Sequence, residues 1–170
     1  MAWLELTSEQ TTPALLRTAT PTDRAAIRAV LLGSGLFGVA DATCVDEMFA
    51  ETWEHPRPDG YRWLVAEQGQ AVVGFACYGP ESLTQDTWDL FWICVLPSAR
   101  RRGVGRALLG AAMEDARANN ARLMVIYTSS TSPYAPARQL YTALGFTHVA
   151  TVPDYYCDGD DLNIYWKRLR

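Results

Sequence analysis

Apolar positions along the chain recur at two spacings, one of two residues and one of three to four, and the changes between them divide the sequence into strands and helices. Leu15 to Thr18 reads as a short strand. Thr20-Pro21-Thr22-Asp23 then supplies an N-cap residue, a first-turn proline and an acid facing the helix dipole, which predicts a helix to about Leu32. Gly33-Ser34-Gly35 breaks that pattern, and Val45, Met48, Phe49 and Trp53 predict a second short helix over Cys44 to Trp53. Tyr61 to Glu67 and Ala71 to Tyr78, rich in β-branched and aromatic residues, flank Gln68-Gly69-Gln70 and read as a hairpin.

Thr87 to Leu96 reads as the next strand. Strict alternation puts Asp89, Phe91, Ile93 and Val95 on one face and Trp88, Leu90, Trp92 and Cys94 on the other. Both faces are mostly apolar, as in a central strand. Pro97 and Ser98 end it, and Gly103 to Asn119 has helical periodicity, with Val104, Leu108, Ala111, Ala112 and Ala116 on one side. Arg122 to Thr128 returns as a strand, Tyr134 to Leu144 as a helix stopped by Gly145, and Thr147 to Val152 and Leu162 to Leu169 as the last two strands. This order predicts an α/β fold, a mixed sheet with helices on its faces.

Composition narrows the class. The 170 residues, 49% hydrophobic and 20% charged with mean hydropathy -0.08, suit one packed domain over 1–170 with its core at about 15–169. Ser8 to Pro13, His55 to Gly60 and Ser129 to Pro136 read as loops within it. Fifteen basic against nineteen acidic residues give a net charge of -4, which argues against general affinity for nucleic acid or anionic lipid. No apolar run approaches the roughly 18 to 20 residues that cross a bilayer, and Met1 to Leu6 lacks a targeting pattern, so a cytoplasmic protein is expected. Cys44, Cys77, Cys94 and Cys157 form no CxxC pair, and His55 and His148 are isolated; reduced thiols and no metal site are expected.

The segment with the most chemistry runs from Asp89 to Leu109. Gly103 and Gly105 sit where a strand hands over to a helix, so free amides and the positive helix end can meet an anionic group such as phosphate. The dinucleotide fingerprint fails, because it needs glycine at Leu108, and the P-loop fails for want of Gly-Lys-Ser/Thr. What remains is Arg-x-x-Gly-x-Gly at Arg100, Gly103 and Gly105, preceded by the apolar Ile93-Cys94-Val95 and followed by Arg106-Ala-Leu-Leu. A second block, Ala137-Arg-Gln-Leu-Tyr-Thr-Ala-Leu-Gly-Phe146, carries a tyrosine on a helix that closes with Gly-Phe.

In these two blocks the sequence resembles the GNAT superfamily of acyl-CoA-dependent N-acetyltransferases, strongly over Asp89 to Phe146 and by element order over Leu15 to Leu169. The resemblance implies a central mixed sheet of about seven strands flanked by about four helices. It implies acetyl-CoA as co-substrate, no metal, and direct transfer to a primary amine in a ternary complex. Arg100, Arg101, Arg102, Gly103, Val104, Gly105 and Arg106 would wrap the CoA pyrophosphate through backbone amides. The edge of Ile93, Cys94 and Val95 would pair with the pantetheine arm, the Val95 N–H polarising the thioester carbonyl. Tyr141 would protonate the leaving thiolate, and Asp89 stands where some protein-acetylating relatives carry a catalytic glutamate. A small-molecule acceptor is the favoured reading; a protein N-terminus or lysine, and a non-catalytic acyl-CoA-binding module, stay open. Homodimers are common in the family, so a homodimer is an open expectation.

Each of these residues also has a plainer reading. The arginine cluster is by itself a solvated face, Tyr141 shares an apolar stripe with Ala137, Leu140 and Leu144, and Asp89 could cap the strand edge or pair with an arginine. Tyr134 stands where many family members have asparagine. Asp154-Tyr-Tyr-Cys-Asp-Gly-Asp-Asp161 reads first as a turn between the last two strands and second as a surface for a cationic amine. Gly33 to Gly38 is either a plain connection or an acceptor lid, and Trp88, Trp92 and Tyr127 set the depth of any acyl pocket.

Overall fold

The computed structural model describes residues 13–170; the Met1 to Leu6 segment and most of the Ser8 to Pro13 loop lie outside the described residues. Seven strands form one sheet in the order β1-β2-β3-β4-β5-β7-β6. They are β1 (Leu15–Thr18), β2 (Arg62–Gln68), β3 (Ala71–Pro80), β4 (Thr87–Val95), β5 (Leu123–Ser129), β6 (Thr147–Cys157) and β7 (Asp160–Arg168). Helices α1 (Arg24–Gly33), α2 (Val39–Glu54), α3 (Val104–Ala118) and α4 (Ala135–Ala143) cover its faces. Every neighbouring pair is antiparallel except β4 and β5, which run parallel. The mixed sheet with four helices is the fold the sequence implied.

Local chemistry accounts for the element ends. Asp23 accepts from the Thr20 amide at 2.7 Å and from the Arg17 guanidinium at 2.7 and 2.8 Å, tying the start of α1 to β1. That ion pair holds the Asp23 carboxyl down at about 2. Helix α2 starts earlier than the apolar spacing suggested, because the Asp41 carboxylate caps it by accepting from the Gly38 amide at 2.8 Å. Gly69 turns the β2–β3 hairpin with φ +65, and Gly159 the β6–β7 hairpin with φ +82. The last hairpin is longer than expected: β6 continues past Val152 to Cys157, and only Asp158 and Gly159 remain as its turn.

The core has two layers, one on each sheet face. Ile27, Val30, Leu31, Val45 and Phe49 of α1 and α2 pack on Trp63, Val65, Phe75, Cys77 and Cys94. Leu108, Leu109, Ala112 and Met113 of α3, with Tyr141 of α4, pack on Ala76, Trp88, Leu90, Met124 and Ile126.

One sequence expectation fails at β4. The β3–β4 pairing shifts register, Cys77 facing Trp92 and Tyr78 facing Leu90, so Phe91 is an extra residue in a β-bulge. Beyond it the alternation inverts. Trp88, Leu90, Ile93 and Val95 share the α3 side, while Phe91, Trp92 and Cys94 pack against the α1–α2 layer. Asp89 lies between Trp88 and Leu90 and therefore points to the α1–α2 side, apart from Ile93 and Val95. The bulge is invisible in composition, since both faces of this strand are apolar.

Helix α3 approaches β3 and β4 closely at Gly74. A Cβ there would lie 3.0 Å from the Cys94 carbonyl oxygen, 3.2 Å from Leu108 and 3.3 Å from Val104. Gly74→Val is expected to cost about 1–3 kcal/mol by overpacking, a fall of several degrees in thermal midpoint for a chain of this size. Thermal unfolding followed by circular dichroism checks this, and an unchanged midpoint would refute the close approach.

Candidate active site

Strands β4 and β5 pair only from Thr87 opposite Leu123 to Leu90 opposite Ile126. Both strands go on, β4 held to β3 as far as Val95 and β5 held to β7 as far as Ser129. The sheet therefore opens between them. On β4 the Leu96 amide donates to Val73 of β3 at 2.9 Å, and since strand amides alternate, Cys94 also faces β3. The amides of Ile93 and Val95 then face the opening. Cys94 is buried, its thiol directed at the Val30 carbonyl at 3.7 Å.

The turn after β4 brings the glycine motif to the mouth of this opening. Arg101 and Gly103 take left-handed conformations, φ 58 and φ 80. Gly103 caps α3 and has no side chain to offer the amides of that end, no side-chain cap bond is made there among the described residues, and the first turn has no acidic residue. The first helical amides, with the positive end of the dipole, are thus free for an anion. Arg101, Arg102 and Arg106 are exposed beside them, while Val104 is buried in the core. Gly105 sits where three elements converge. A Cβ on it would lie 3.3 Å from Leu140 of α4 and 3.9 Å from Val95 of β4.

Arg100, the first residue of the motif, is occupied. Its Nε donates to the Val95 carbonyl at 3.0 Å and its guanidinium to the Ser34 carbonyl at 2.7 Å. It thereby braces the end of β4 against the α1–α2 connection. That connection is itself packed: the Ser34 hydroxyl donates to Leu31 at 2.6 Å and accepts from the Leu36 amide at 3.2 Å.

Tyr141 faces the same core as Ile93 and Val95, its ring 5.7 Å from Tyr165 and 6.3 Å from Phe146. Burial and Tyr165 push its phenol above the ordinary value, and an interaction with Thr128 opposes them. Asp89 is 4% exposed, and among the described residues its Oδ1 has no hydrogen-bond partner. Its carboxyl is pushed up to about 7, first by burial and then by Glu81 at the end of β3. No arginine pairs with it among the described residues.

Phe37, on the α1–α2 side, escaped the sequence reading. Phe37 packs edge-on against Trp92 at 5.4 Å and Tyr134 at 6.0 Å, and the Tyr134 hydroxyl donates to Leu36 at 3.4 Å. Tyr134, in the place of the family asparagine, thus fastens the α4 entrance to the α1–α2 connection. Trp92 donates to the Met48 sulfur at 3.2 Å, and Tyr127 is half-exposed within electrostatic range of Asp89 and Glu81. Trp88 lies on the other face under the Arg62 guanidinium, 5.1 Å from its ring, and so stands apart from Trp92 and Tyr127. Two of the aspartates of the last hairpin serve the turn, Asp154 accepting from Gly159 at 2.7 Å and Asp161 from the Asp154 amide at 2.9 Å, while Asp160 accepts from the Ser129 hydroxyl of β5 at 2.6 Å.

Comparison with known proteins agrees with this geometry. Residues 34–146 match the acetyltransferase (GNAT) family model, and the chain belongs to that family. An N-alpha-acetyltransferase from Sulfurisphaera tokodaii is 40% identical over 118 residues, 64% of this chain and 70% of its own length. A solved structure from Desulfovibrio desulfuricans, assigned to the GNAT family, superposes with a TM-score of 0.87 at 34% identity, over 92% of this chain and 99% of its own. A Salmonella typhimurium protein solved with its cofactor acetyl-CoA shares the fold, with a TM-score of 0.75 at 24% identity, over 94% of this chain and 95% of its own. The protein is an acyl-CoA-dependent acetyltransferase with acetyl-CoA as its donor.

The Arg100 brace can be tested apart from turnover. Arg100→Ala frees two carbonyls and is expected to cost about 1–2 kcal/mol, with Arg100→Lys recovering only part because one ammonium cannot span both. Urea denaturation measures the loss; an Ala variant as stable as wild type would remove the brace.

Proposed function

We propose that the protein transfers the acetyl group to a cationic primary amine entering from the α1–α2 side, with a small-molecule amine as the first reading. The observation that carries this is Asp89, a buried carboxyl with an unpartnered oxygen on the acceptor side of a strand whose other edge is open to the donor. An alkylamine of pKa about 10 is mostly protonated at neutral pH, so its nitrogen must lose a proton before it attacks. A carboxyl poised near 7 suits that task, directly or through water.

The free amides at Gly103 to Arg106 cradle the diphosphate, with Arg101, Arg102 and Arg106 adding positive charge. The pantetheine arm takes the place of the missing β5 partner along Ile93 and Val95. The Val95 N–H then polarises the thioester carbonyl and stabilises the tetrahedral oxyanion. The ammonium gives one proton to Asp89; the nitrogen attacks the carbonyl carbon, the C–N bond forms and the second nitrogen proton goes to water. Collapse breaks the C–S bond, the thiolate takes its proton from Tyr141, and water reprotonates the phenolate. Phe37, Trp92 and Tyr134 wall one end of the acceptor side, which favours a compact amine.

A second reading, a protein N-terminus as acceptor, is supported by the name of the 40% identical relative. A thiol-release screen with acetyl-CoA against polyamines, aminoglycosides, amino acids and short peptides separates the two. The first reading expects the highest kcat/KM with a small amine, and turnover confined to peptides would overturn it. Tyr141→Phe is expected to lower kcat by a factor of about 10–100 or more while acetyl-CoA affinity by calorimetry changes little. Wild-type turnover in that variant would remove the assigned role.

A further inference from the structure

Glu81 belongs to neither sequence block and is not among the residues the family resemblance marks. Its backbone is fixed on both sides: its amide donates to Thr87 at 2.8 Å, and its carbonyl accepts from the Thr84 hydroxyl at 2.8 Å. The loop between them is tight, with Leu83 and Asp86 in left-handed conformations at φ 61 and φ 57. Gly79 stands opposite Asp89, so the half-buried Glu81, two residues further on, lies on the same sheet face as Asp89, and its charge helps push the Asp89 carboxyl up. Among the described residues the buried Asp89 Oδ1 has no hydrogen-bond partner, and two ionised carboxylates offer each other no donor. A proton taken up by the pair would supply one.

The surroundings leave this pair without a compensating cation. Across the strands Asp89 faces Gly79 and Val125, neither of which carries charge. Tyr127 of β5 lies within electrostatic range of both carboxyls, and Tyr155 of β6 within range of Tyr127. Among the described residues no lysine, arginine or histidine forms an ion pair with Glu81 or Asp89.

We propose that Glu81 is a positioning residue for acetyl transfer, its carboxylate sharing with Asp89 the single proton that the ammonium acceptor gives up. The inference rests on the reading of Asp89 as proton acceptor. Burial raises the proton affinity of Asp89 first and the neighbouring Glu81 charge adds to it, turning an ordinary carboxylate into a base matched to neutral pH. In the step itself the pair passes from two negative charges to one as the N–H bond breaks and the proton comes to lie between the two carboxyl groups. It returns to its starting state by giving that proton to water after the product leaves.

The test reads the pair with and without turnover. In the full-length protein with 13C-labelled aspartate side chains, the Asp89 carboxyl is expected to titrate near neutrality. In Glu81→Gln its midpoint should fall by about one unit or more, and in Glu81→Asp most of the elevation should return. With acetyl-CoA and the fastest amine of the screen, the acidic limb of the kcat/KM profile should move to lower pH in Glu81→Gln by the same amount, because the base then stays ionised further into acid. The matching Asp89→Asn variant should lose most of kcat. An Asp89 midpoint near 4 in the wild-type protein, or one that Glu81→Gln leaves unmoved, overturns the proposal even if the variant folds poorly, since the first arm needs wild type only. Full turnover in Asp89→Asn with the midpoint shift intact would instead overturn the role of Asp89 as base, and with it the catalytic part of the Glu81 assignment.

Discussion

The site depends on β4 and β5 parting after Leu90 and Ile126. Neither strand can swing back to close the gap, since β3 holds one and β7 the other beyond the point of divergence. The bulge at Phe91 falls at the same place and gives β4 the extra residue it needs to turn. An inner strand left without its neighbour has peptide groups to satisfy. In the proposed reading a substrate arm that carries amides of its own would answer that need and be held in register by it.

The same region divides its arginines between Arg100, which is engaged, and Arg101, Arg102 and Arg106, which are exposed. Arg100 is spent on the Val95 and Ser34 carbonyls, so the most recognisable basic residue of the motif shapes the site from behind. Gly103 and Gly105 differ in a similar way. Gly103 supplies a left-handed turn with open space around it, whereas Gly105 keeps α3, β4 and α4 close together. In the proposed reading donor chemistry lies at one end of the opening and Tyr141 under it, while Asp89 and Glu81 face the other side of the sheet. On that reading donor and acceptor would meet through the strand, one along its edge and one against its face.

Much of this was legible in the sequence. Element order, the strand-to-helix handover at Gly103 and the tyrosine block follow from periodicity, glycine placement and two motifs whose spacing is local. The missing parts are tertiary. A bulge in a strand apolar on both faces leaves no trace in the pattern, so Asp89 was placed on the face of Ile93 and Val95 when it lies on the other. Glu81 follows a strand end among ordinary loop residues, and only folding brings it to Asp89. The aspartates from Asp154 to Asp161 looked as inviting as any acidic cluster, yet turn geometry consumes Asp154 and Asp161. Tyr134 reads as a departure from a family asparagine until its contacts with Phe37 and Leu36 show what it fastens.

Residue-resolved amide hydrogen exchange, with and without saturating CoA, reads the open edge most directly. The account predicts that Ile93 and Val95 exchange readily in the free protein and slow at least about tenfold on binding, as amides gaining a hydrogen-bond partner do. Cys94, already turned toward β3, should be protected in both states. Bound CoA that left Ile93 and Val95 exchanging as before would mean that the carrier lies elsewhere and that the gap between the strands is not its seat.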